Sequence, residues 1–213
     1  MKCVAWNSAS AWSFSLTLVI VLPHPIVLSN DVLELRPLTL EDLDELWPQA
    51  QEQEIWKYMR GGLLDSPEAL RKWAELGLAN RARGTDYPFV IFDKATGMLA
   101  GSTRYLTIDL PNRALEIGGS WLGRNYRRTA VNTHAKYLML KYAFETLECI
   151  RVQIRTDVRN ERSQRAIERL GATREGLFRK DFIFPDGYQR STVFYSILDT
   201  EWPQVKARLE TML

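Results

Sequence analysis

The chain has 213 residues, a formal net charge of +2 at pH 7, 46% hydrophobic residues and 25% charged residues. This balance is typical of a soluble globular protein with one domain, or one domain plus an appendage, and excludes a disordered chain. The small net charge does not indicate a nucleic-acid or membrane partner. Two cysteines and two histidines are too few for a disulfide framework or a histidine-rich metal centre, so the composition predicts a cytoplasmic, metal-free protein.

The first thirty residues differ from the rest of the chain. The apolar run at residues 14–22 is long enough for the core of a secretion signal, but Pro23 and Pro25 follow where a cleavage site would lie. The alternatives are an extra strand or an upstream extension that contributes nothing to function, and the sequence favours the extension. We therefore predict an extension of uncertain role over residues 1–30 and one domain over residues 31–213.

The first half of the domain is predicted to contain a strand, three helical stretches and three further strands. Residues 32–36 alternate between apolar and polar side chains, as in a half-buried strand. A T-x-x-D cap at Thr39 and a Ser66-Pro67 pair mark helix starts. The helical stretches are predicted at residues 40–50, 51–59 and 66–81. The strands that follow are predicted at residues 88–93, 98–108 and 114–122, and Gly118 and Gly119 indicate a bulge or a close backbone approach in the last of them.

The second half alternates between helices and strands. Helices are predicted at residues 129–147, 160–170 and 200–211, the second closed by Gly171. Strands are predicted at residues 150–156, 172–182 and 191–198. Three hairpin-like strands followed by this alternation predict an α/β fold with a mixed sheet, antiparallel early and partly parallel late.

The segment from Trp121 to Asn132 combines a strand end, an arginine-rich loop and a helix start. Free amides at a helix N-terminus, together with the positive end of the helix dipole, make a binding site for anions. Arg124, Arg127 and Arg128 would add charge-assisted bonds to phosphate oxygens. A solvated surface loop is the alternative interpretation.

Four motifs follow one another between residues 33 and 198. They are the strand Ala114-Leu115-Glu116-Ile117-Gly118, the loop Arg127-Arg128-Thr129-Ala130-Val131-Asn132, the helix Asn160-Glu161-Arg162-Ser163 ending at Leu170-Gly171, and a hairpin containing Glu175-Gly176, Asp186-Gly187 and Tyr195-Ser196. With these motifs the chain resembles the GNAT N-acetyltransferase superfamily, and within it the branch typified by ribosomal-protein N-terminal acetyltransferases. Each motif alone is weakly specific, and the order and spacing of all four carry the resemblance.

The resemblance implies a GNAT-type mixed, centrally splayed β-sheet flanked by helices, with acetyl-CoA in the V of the splay and the acceptor amine opposite. The family's R/Q-x-x-G-x-G/A loop, whose amides hold the pyrophosphate of acetyl-CoA, corresponds to residues 127–132. Two positions depart from it, because Ala130 stands where glycine is usual and Asn132 replaces the second small residue. Ala130 can still offer its amide if its φ is negative. Asn132 puts close packing of the cofactor in doubt.

The resemblance and the reaction together point to three candidate catalytic residues. Glu116 is the candidate base, acting through water, although it could instead pair with an arginine on an exposed strand face. Asp181 is the rival base. Ser163 matches a position that donates a proton to the leaving thiolate, and the backbone amides of Trp121 and Leu122 should polarise the acetyl carbonyl.

Other residues around the site have two interpretations each. Asn160 matches a position that binds the pantetheine arm, but it is also a good helix N-cap, and Ser163 could be an ordinary first-turn residue. Trp56 and Tyr58 either line the acceptor cleft or pack on the sheet. Tyr195 is interpreted as a core residue rather than as a thiolate donor.

These features predict an N-acetyltransferase that moves an acetyl group from acetyl-CoA to a primary amine, either a protein N-terminus or a small amine. Because no cysteine is placed as a nucleophile, we expect direct attack in a ternary complex. A non-catalytic acyl-CoA sensor is the alternative, suggested by Ala130 and Asn132, and a ligand-free scaffold is a third. The small number of acidic runs favours a small or unfolded acceptor, and a homodimer is left open.

Overall fold

The computed structural model describes residues 22–60, 62 and 64–213, and within these ranges eight strands form one sheet. The strands are β1 Leu28–Ser29, β2 Leu33–Pro37, β3 Tyr87–Asp93, β4 Met98–Asp109, β5 Ala114–Leu122, β6 Arg151–Asp157, β7 Thr173–Ile183 and β8 Gln189–Leu198. The helices are α1 Leu43–Ala50, α2 Gln53–Trp56, α3 Pro67–Ala82, α4 Val131–Glu145, α5 Glu161–Leu170 and α6 Trp202–Glu210. Every strand and helix predicted from the sequence is present.

The sheet opens at its centre. Its strand order is β1-β2-β3-β4-β5-β6-β8-β7, and in this described sheet β5 and β6 are parallel while the other neighbouring pairs are antiparallel. β5 and β6 pair only from Ala114 to Glu116 on one strand and from Arg151 to Gln153 on the other. Both strands continue beyond these residues, so they separate after Glu116. The mixed sheet with a central splay is confirmed.

Helices cover the two faces of the sheet and bury two apolar clusters. α4, α5 and α6 lie over the main cluster, which includes Ile117 and Val152, while α1 to α3 cover a smaller cluster around Leu99. β3 is buried on both sides, because Phe89 contributes to the main cluster and the next residue, Val90, to the smaller one. The face of β6 and β8 that points away from the main cluster carries polar residues instead.

The helix caps predicted from the sequence are present. The Asp42 carboxylate accepts a hydrogen bond from the Thr39 amide at 2.8 Å, and Ser66 Oγ accepts one from the Ala69 amide at 3.2 Å. Gly171 ends α5 with a φ of 100°, a left-handed conformation that a side chain would strain. Local sequence therefore sets these helix ends.

A glycine bulge interrupts the pairing of β4 with β5. The register shifts between Ser102 and Arg104, and Gly119 on the opposite strand has a φ of 56°. A Cβ at Gly119 would lie 3.0 Å from Arg104 Nε, so glycine is required there by both conformation and space. The predicted bulge at the two glycines is confirmed.

Part of the predicted extension packs onto the domain. Leu22, Ile26 and Leu28 belong to the main cluster, and β1 pairs with β2. The hydroxyl of Tyr87 accepts a hydrogen bond from the Ile26 amide at 2.7 Å. Residues 14–21 of the apolar run lie outside the described residues, so the role of residues 1–30 stays a prediction.

Several helices are shorter than the sequence indicated, and the difference is largest for two of them. The helix predicted at residues 51–59 is limited to Gln53–Trp56, and the one predicted from residue 129 starts at Val131. The chain before Val131 forms a 3₁₀ turn from Arg124 to Tyr126 and a loop. In the described part of the chain, no helix is both long and apolar enough to cross a membrane.

Candidate functional site

Glu116 lies at the point where β5 and β6 separate. It is only 2% exposed, and its carboxylate accepts hydrogen bonds from Arg155 Nε at 2.9 Å and from Gln153 Nε2 at 3.1 Å. Burial raises the pKa of Glu116 above its usual value, and the charge of Arg155 with the two hydrogen bonds limits the rise. A carboxyl group with a raised pKa beside an opening in the sheet has the properties of a general base.

The sequence left open whether Glu116 is a base or the partner of an arginine. The structure shows that it does pair with Arg155, at a buried position rather than on an exposed strand face. The ion pair with Arg155 is compatible with a role as general base, because the ionised carboxylate of Glu116 can still accept a proton. Its role as base stays a prediction.

The rival base, Asp181, lies on β7 and forms an ion pair with Arg60. Arg60 also donates a hydrogen bond to Thr192 Oγ1 at 3.4 Å and stacks over the ring of Phe182, with 5.0 Å between its Cζ and the ring centroid. β7 is the edge strand of the described sheet and β8 separates it from β6, so Asp181 does not lie on the strands that separate at Glu116. Asp181 stays a candidate with the weaker geometry.

The arginines of the loop before α4 have different environments. Arg127 is 18% exposed, and it donates to the Leu122 carbonyl at 3.0 Å and pairs with Glu52 at 2.7 Å. Arg128 is exposed and has a φ of 62°. Arg124 is also exposed and lies 3.7 Å from Glu52. Arg127 therefore fixes the loop to the strand, and Arg128 is the side chain placed to reach a phosphate.

The backbone at the start of α4 presents unpaired amides. Ala130 has φ −70° and ψ −14°, which meets the condition of a negative φ stated for this position. The Val131 amide has a partner in Thr129 Oγ1 at 3.3 Å, whereas the amides of residues 128–130 donate to no group among the described residues. Free amides at the positive end of a helix, here one of fifteen residues, favour anions, and pyrophosphate binding at this position stays a prediction.

The two strand amides expected to polarise a carbonyl point in opposite directions. The Gly123 amide donates to the Ala100 carbonyl of β4 at 2.9 Å, so alternation along β5 directs Trp121 to β4 as well. The Leu122 carbonyl accepts from Arg127 instead, so Leu122 faces away from β4. Of the two, Leu122 has the amide that faces the opening beside β5.

At the start of α5, the contacts of Asn160 bear on both of its interpretations, as a helix N-cap and as a residue that binds the pantetheine arm. Its Oδ1 accepts a hydrogen bond from the Ser163 amide at 3.1 Å, so Asn160 is the N-cap. Its side-chain NH₂ makes no hydrogen bond to the described residues, which leaves two donors for a ligand. Asn160 lines a pocket of about 260 Å³ together with Tyr58 and Arg159. Ser163 is half-buried beside it, and its role stays a prediction.

Among the aromatic candidates, only Tyr58 lines a pocket. Trp56 is buried, its ring centroid lies 5.3 Å from that of Trp121, and its indole nitrogen donates to the Ala50 carbonyl at 2.8 Å. The interpretation of Trp56 as a cleft residue is therefore wrong, because packing on the sheet uses its whole surface. Tyr195 is fully buried and donates to Glu168 at 2.9 Å, and burial raises its pKa to about 12. This agrees with its interpretation as a core residue.

Sequence reasoning missed four basic residues near the site. Arg155 and Arg190 lie on strands, Arg60 follows α2, and Lys136 lies inside α4. Alternation along β6 and β8 could have placed the two strand arginines on the polar face. Lys136 is a single charged residue within the apolar pattern of α4, and one such residue is too weak a signal to identify a buried lysine from the sequence alone. No group of three or more potential metal ligands occurs among the residues that the structure describes.

Comparison with known proteins identifies the class. The family model described as an acetyltransferase (GNAT) domain matches residues 33–173. The match covers the splayed strands, the loop at α4 and the whole of α5. The chain belongs to the GNAT acetyltransferase family.

Individual relatives agree with this assignment. The chain is 37% identical over 106 residues to a Bacillus subtilis (strain 168) protein provisionally named ribosomal N-acetyltransferase YdaF, and the match covers 50% of this chain and 57% of that protein, so the chain spans little more than half of its length. A crystal structure of a provisionally assigned acetyltransferase from T. thermophilus is 36% identical, with a TM-score of 0.81 over 91% of this chain and 100% of that chain. Mycobacterium smegmatis RimJ, solved in complex with CoA-disulfide, shares the fold at 21% identity, with a TM-score of 0.75 over 89% of this chain and 95% of that chain.

Proposed function

We propose that the protein transfers an acetyl group from acetyl-CoA to a primary amine by direct attack in a ternary complex. The observation that carries this proposal is that Glu116 and the loop leading to the free amides at α4 lie at the two ends of the part of β5 that does not pair with β6. The strand runs six residues from Glu116 to Leu122, roughly 20 Å at about 3.3 Å per residue. An extended pantetheine arm has a comparable length, so a donor with its pyrophosphate at α4 would place its thioester near Glu116.

Each proposed residue has one part in the reaction. The amine nitrogen forms a bond to the thioester carbon, the carbon–sulfur bond breaks, and the amine proton passes through water to Glu116. Because Leu122 lies roughly 20 Å from Glu116 along β5, its amide faces the pantetheine arm rather than the carbonyl that reacts beside Glu116. The departing thiolate takes a proton from Ser163, which Asn160 holds at the first turn of α5, while water returns a proton to Ser163 and takes the one held by Glu116. Binding both substrates side by side also contributes to the expected acceleration, because it removes the entropic cost of bringing them together.

A non-catalytic acyl-CoA sensor is the second candidate. It is favoured by the contacts of Glu116, because Arg155 and Gln153 already bond both of its carboxylate oxygens. An enzyme would release coenzyme A when acetyl-CoA and a suitable amine are both present. A sensor would bind acetyl-CoA and release none.

Binding of acetyl-CoA tests the donor site. At a ligand concentration one hundredfold above Kd, the melting curve should show stabilisation by about 2.7 kcal/mol. Arg128→Ala should weaken binding by about tenfold, since it removes a charge-assisted bond of roughly 1.4 kcal/mol at an exposed site. Adding Arg127→Ala should weaken binding further, because the loop loses its tie to Leu122 and Glu52.

Arg71→Ala is the matched control. It removes the same charge from an exposed position on α3, so binding should not change. Calorimetry would measure all the variants. No binding by the unmodified protein at millimolar acetyl-CoA would contradict the proposed function, and equal effects of Arg128→Ala and Arg71→Ala would remove the loop from the donor site.

A further inference from the structure

Beside Glu116 the sheet has a polar face. Side chains alternate along strands, and the residues of β6 and β8 opposite the main cluster include Arg155, Asp157, Arg190 and Thr192. Arg155 joins this face to Glu116 through their ion pair. The loop after α2 lies across it, because the Tyr58 carbonyl accepts a hydrogen bond from Arg190 Nη1 at 2.9 Å. The candidate base and these residues therefore share one side of the sheet.

The charges on this face do not cancel. Three arginines each pair with a carboxylate: Arg155 with Glu116, Arg159 with Asp157 and Arg60 with Asp181. A fourth, Arg190, has no carboxylate within 4.0 Å among the described residues. Its own contacts are neutral, namely the Tyr58 carbonyl and Thr192 Oγ1, the latter at 2.9 Å from Nε. These four arginines and three carboxylates together carry one positive charge in excess.

Arg190 is only 4% exposed, so this charge is buried. Asp157 and Asp181 act on Arg190 only through their charges and not by direct contact, and a buried cation without a directly bonded anion is costly. Arg60 adds an unfilled donor, because its Nε is buried and has no acceptor among the described residues. Arg60 and Arg190 both donate to Thr192 Oγ1, so the two guanidinium groups converge on one point.

We propose that Arg190 and Arg60 form a binding subsite for a carboxylate of the acceptor, so that the acceptors are small amino acids with a free carboxyl group. A carboxylate supplies two acceptors to the planar guanidinium groups and cancels the excess charge. The amine of such an acceptor would lie toward Glu116 on the same face. This inference rests on the proposed function in one respect, namely that the molecule bearing the carboxylate is the acetyl acceptor. Binding of a carboxylate to the subsite can be tested without turnover.

The first experiment measures binding without transfer. The protein is saturated with coenzyme A, which cannot donate an acetyl group, and each L-amino acid and its carboxamide is titrated by calorimetry. The subsite predicts that at least one acid binds ten- to one-hundredfold more tightly than its amide, because a charge-assisted pair is lost in the amide. Equal binding of acids and amides across the panel would overturn the proposal.

The second experiment uses variants. Arg190→Gln should abolish the preference for the acid, and Arg190→Lys should keep part of it, since the charge remains while the planar fork is lost. Arg165→Gln, which removes an exposed charge on α5, should leave the preference unchanged. Melting curves of the variants would show that each is folded, and an unchanged preference in folded Arg190→Gln would overturn the assignment.

Turnover separates this inference from the proposed function. The same acids and amides are then incubated with acetyl-CoA, and the release of coenzyme A thiol is measured. Tight binding of acids without release of thiol would support the subsite and contradict the transferase. Release of coenzyme A thiol at equal rates with acids and with amides as acceptors would support the transferase and overturn the subsite.

Discussion

Glu116→Gln should lower kcat by about 100- to 10,000-fold while leaving the affinity for acetyl-CoA unchanged. The substitution keeps the size and one hydrogen-bond acceptor but removes the group that takes the proton, and general bases contribute accelerations of this order. The pyrophosphate site at α4 is distant along β5, so donor binding should not respond. Coenzyme A release measured at saturating acetyl-CoA, beside calorimetric binding of the donor, separates the two effects.

The dependence of kcat/KM on pH is a second test of Glu116→Gln. Burial raises the pKa of Glu116, so kcat/KM should fall as the pH drops through that raised value, because the protonated carboxyl cannot accept a proton. The Gln variant should lack this fall. Asp181→Asn is the matched control, and its effect should be small because Asp181 lies on the edge strand β7 and not where β5 and β6 separate. Unchanged turnover of Glu116→Gln across the pH range would remove Glu116 as the base.

Lys136→Met should stabilise the protein at neutral pH on the order of 4 kcal/mol. Lys136 is 6% exposed within α4, and its ammonium donates to Thr103 Oγ1 at 3.3 Å and to Ser120. No carboxylate lies within 4.0 Å of it in the described ranges. Burial lowers its pKa to about 7, and each unit below the ordinary value of 10.5 corresponds to about 1.4 kcal/mol. Methionine has a similar length and carries no charge.

The direction of the pH dependence follows from that pKa. Between about pH 7 and pH 10.5 the unfolded chain holds the lysine proton and the folded protein does not, so stability rises with pH in this window. Below pH 7 both states are protonated, and the full cost of the buried charge remains. The difference between the free energies of unfolding of Lys136→Met and the unmodified protein should therefore be largest at or below pH 7 and shrink toward pH 10.

Urea unfolding between pH 6 and pH 10 would measure this difference. Lys72→Met is the control, because Lys72 lies on α3 with an exposed side chain and should leave both the stability and its pH slope nearly unchanged. The same pH slope in Lys136→Met and in the unmodified protein would show that Lys136 is not the titrating group.

The sequence was sufficient for the elements whose signals are local. The cap at Thr39, the Ser66-Pro67 start and the glycine after α5 each act over a few residues, and all three lie where they were predicted. The two-residue strand β1 could not be predicted in the same way. It exists through its pairing with β2, and the apolar pattern of two residues is too short to indicate a strand.

The residues of the candidate site also divide into those with a local sequence signal and those without one. Glu116 and the loop at Ala130 could be selected because motifs of adjacent residues carry them. The partners that decide their chemistry come from distant parts of the chain: Arg155 reaches Glu116 from the next strand, and Glu52 reaches Arg127 from the segment before α2. Arg190 gained its interpretation only when the structure showed that no carboxylate among the described residues pairs with it. Such contacts depend on the tertiary fold, which no local pattern encodes.

The proposal of acetyl transfer is tested most directly by incubating the protein with acetyl-CoA and a panel of amino acids, their amides and N-terminal peptides, and analysing the products by mass spectrometry. We predict one equivalent of coenzyme A released for each acetylated amine, with the reaction lost in Glu116→Gln. Acetyl-CoA that binds tightly but yields no acetylated amine with any member of the panel would contradict the transferase and leave the acyl-CoA sensor.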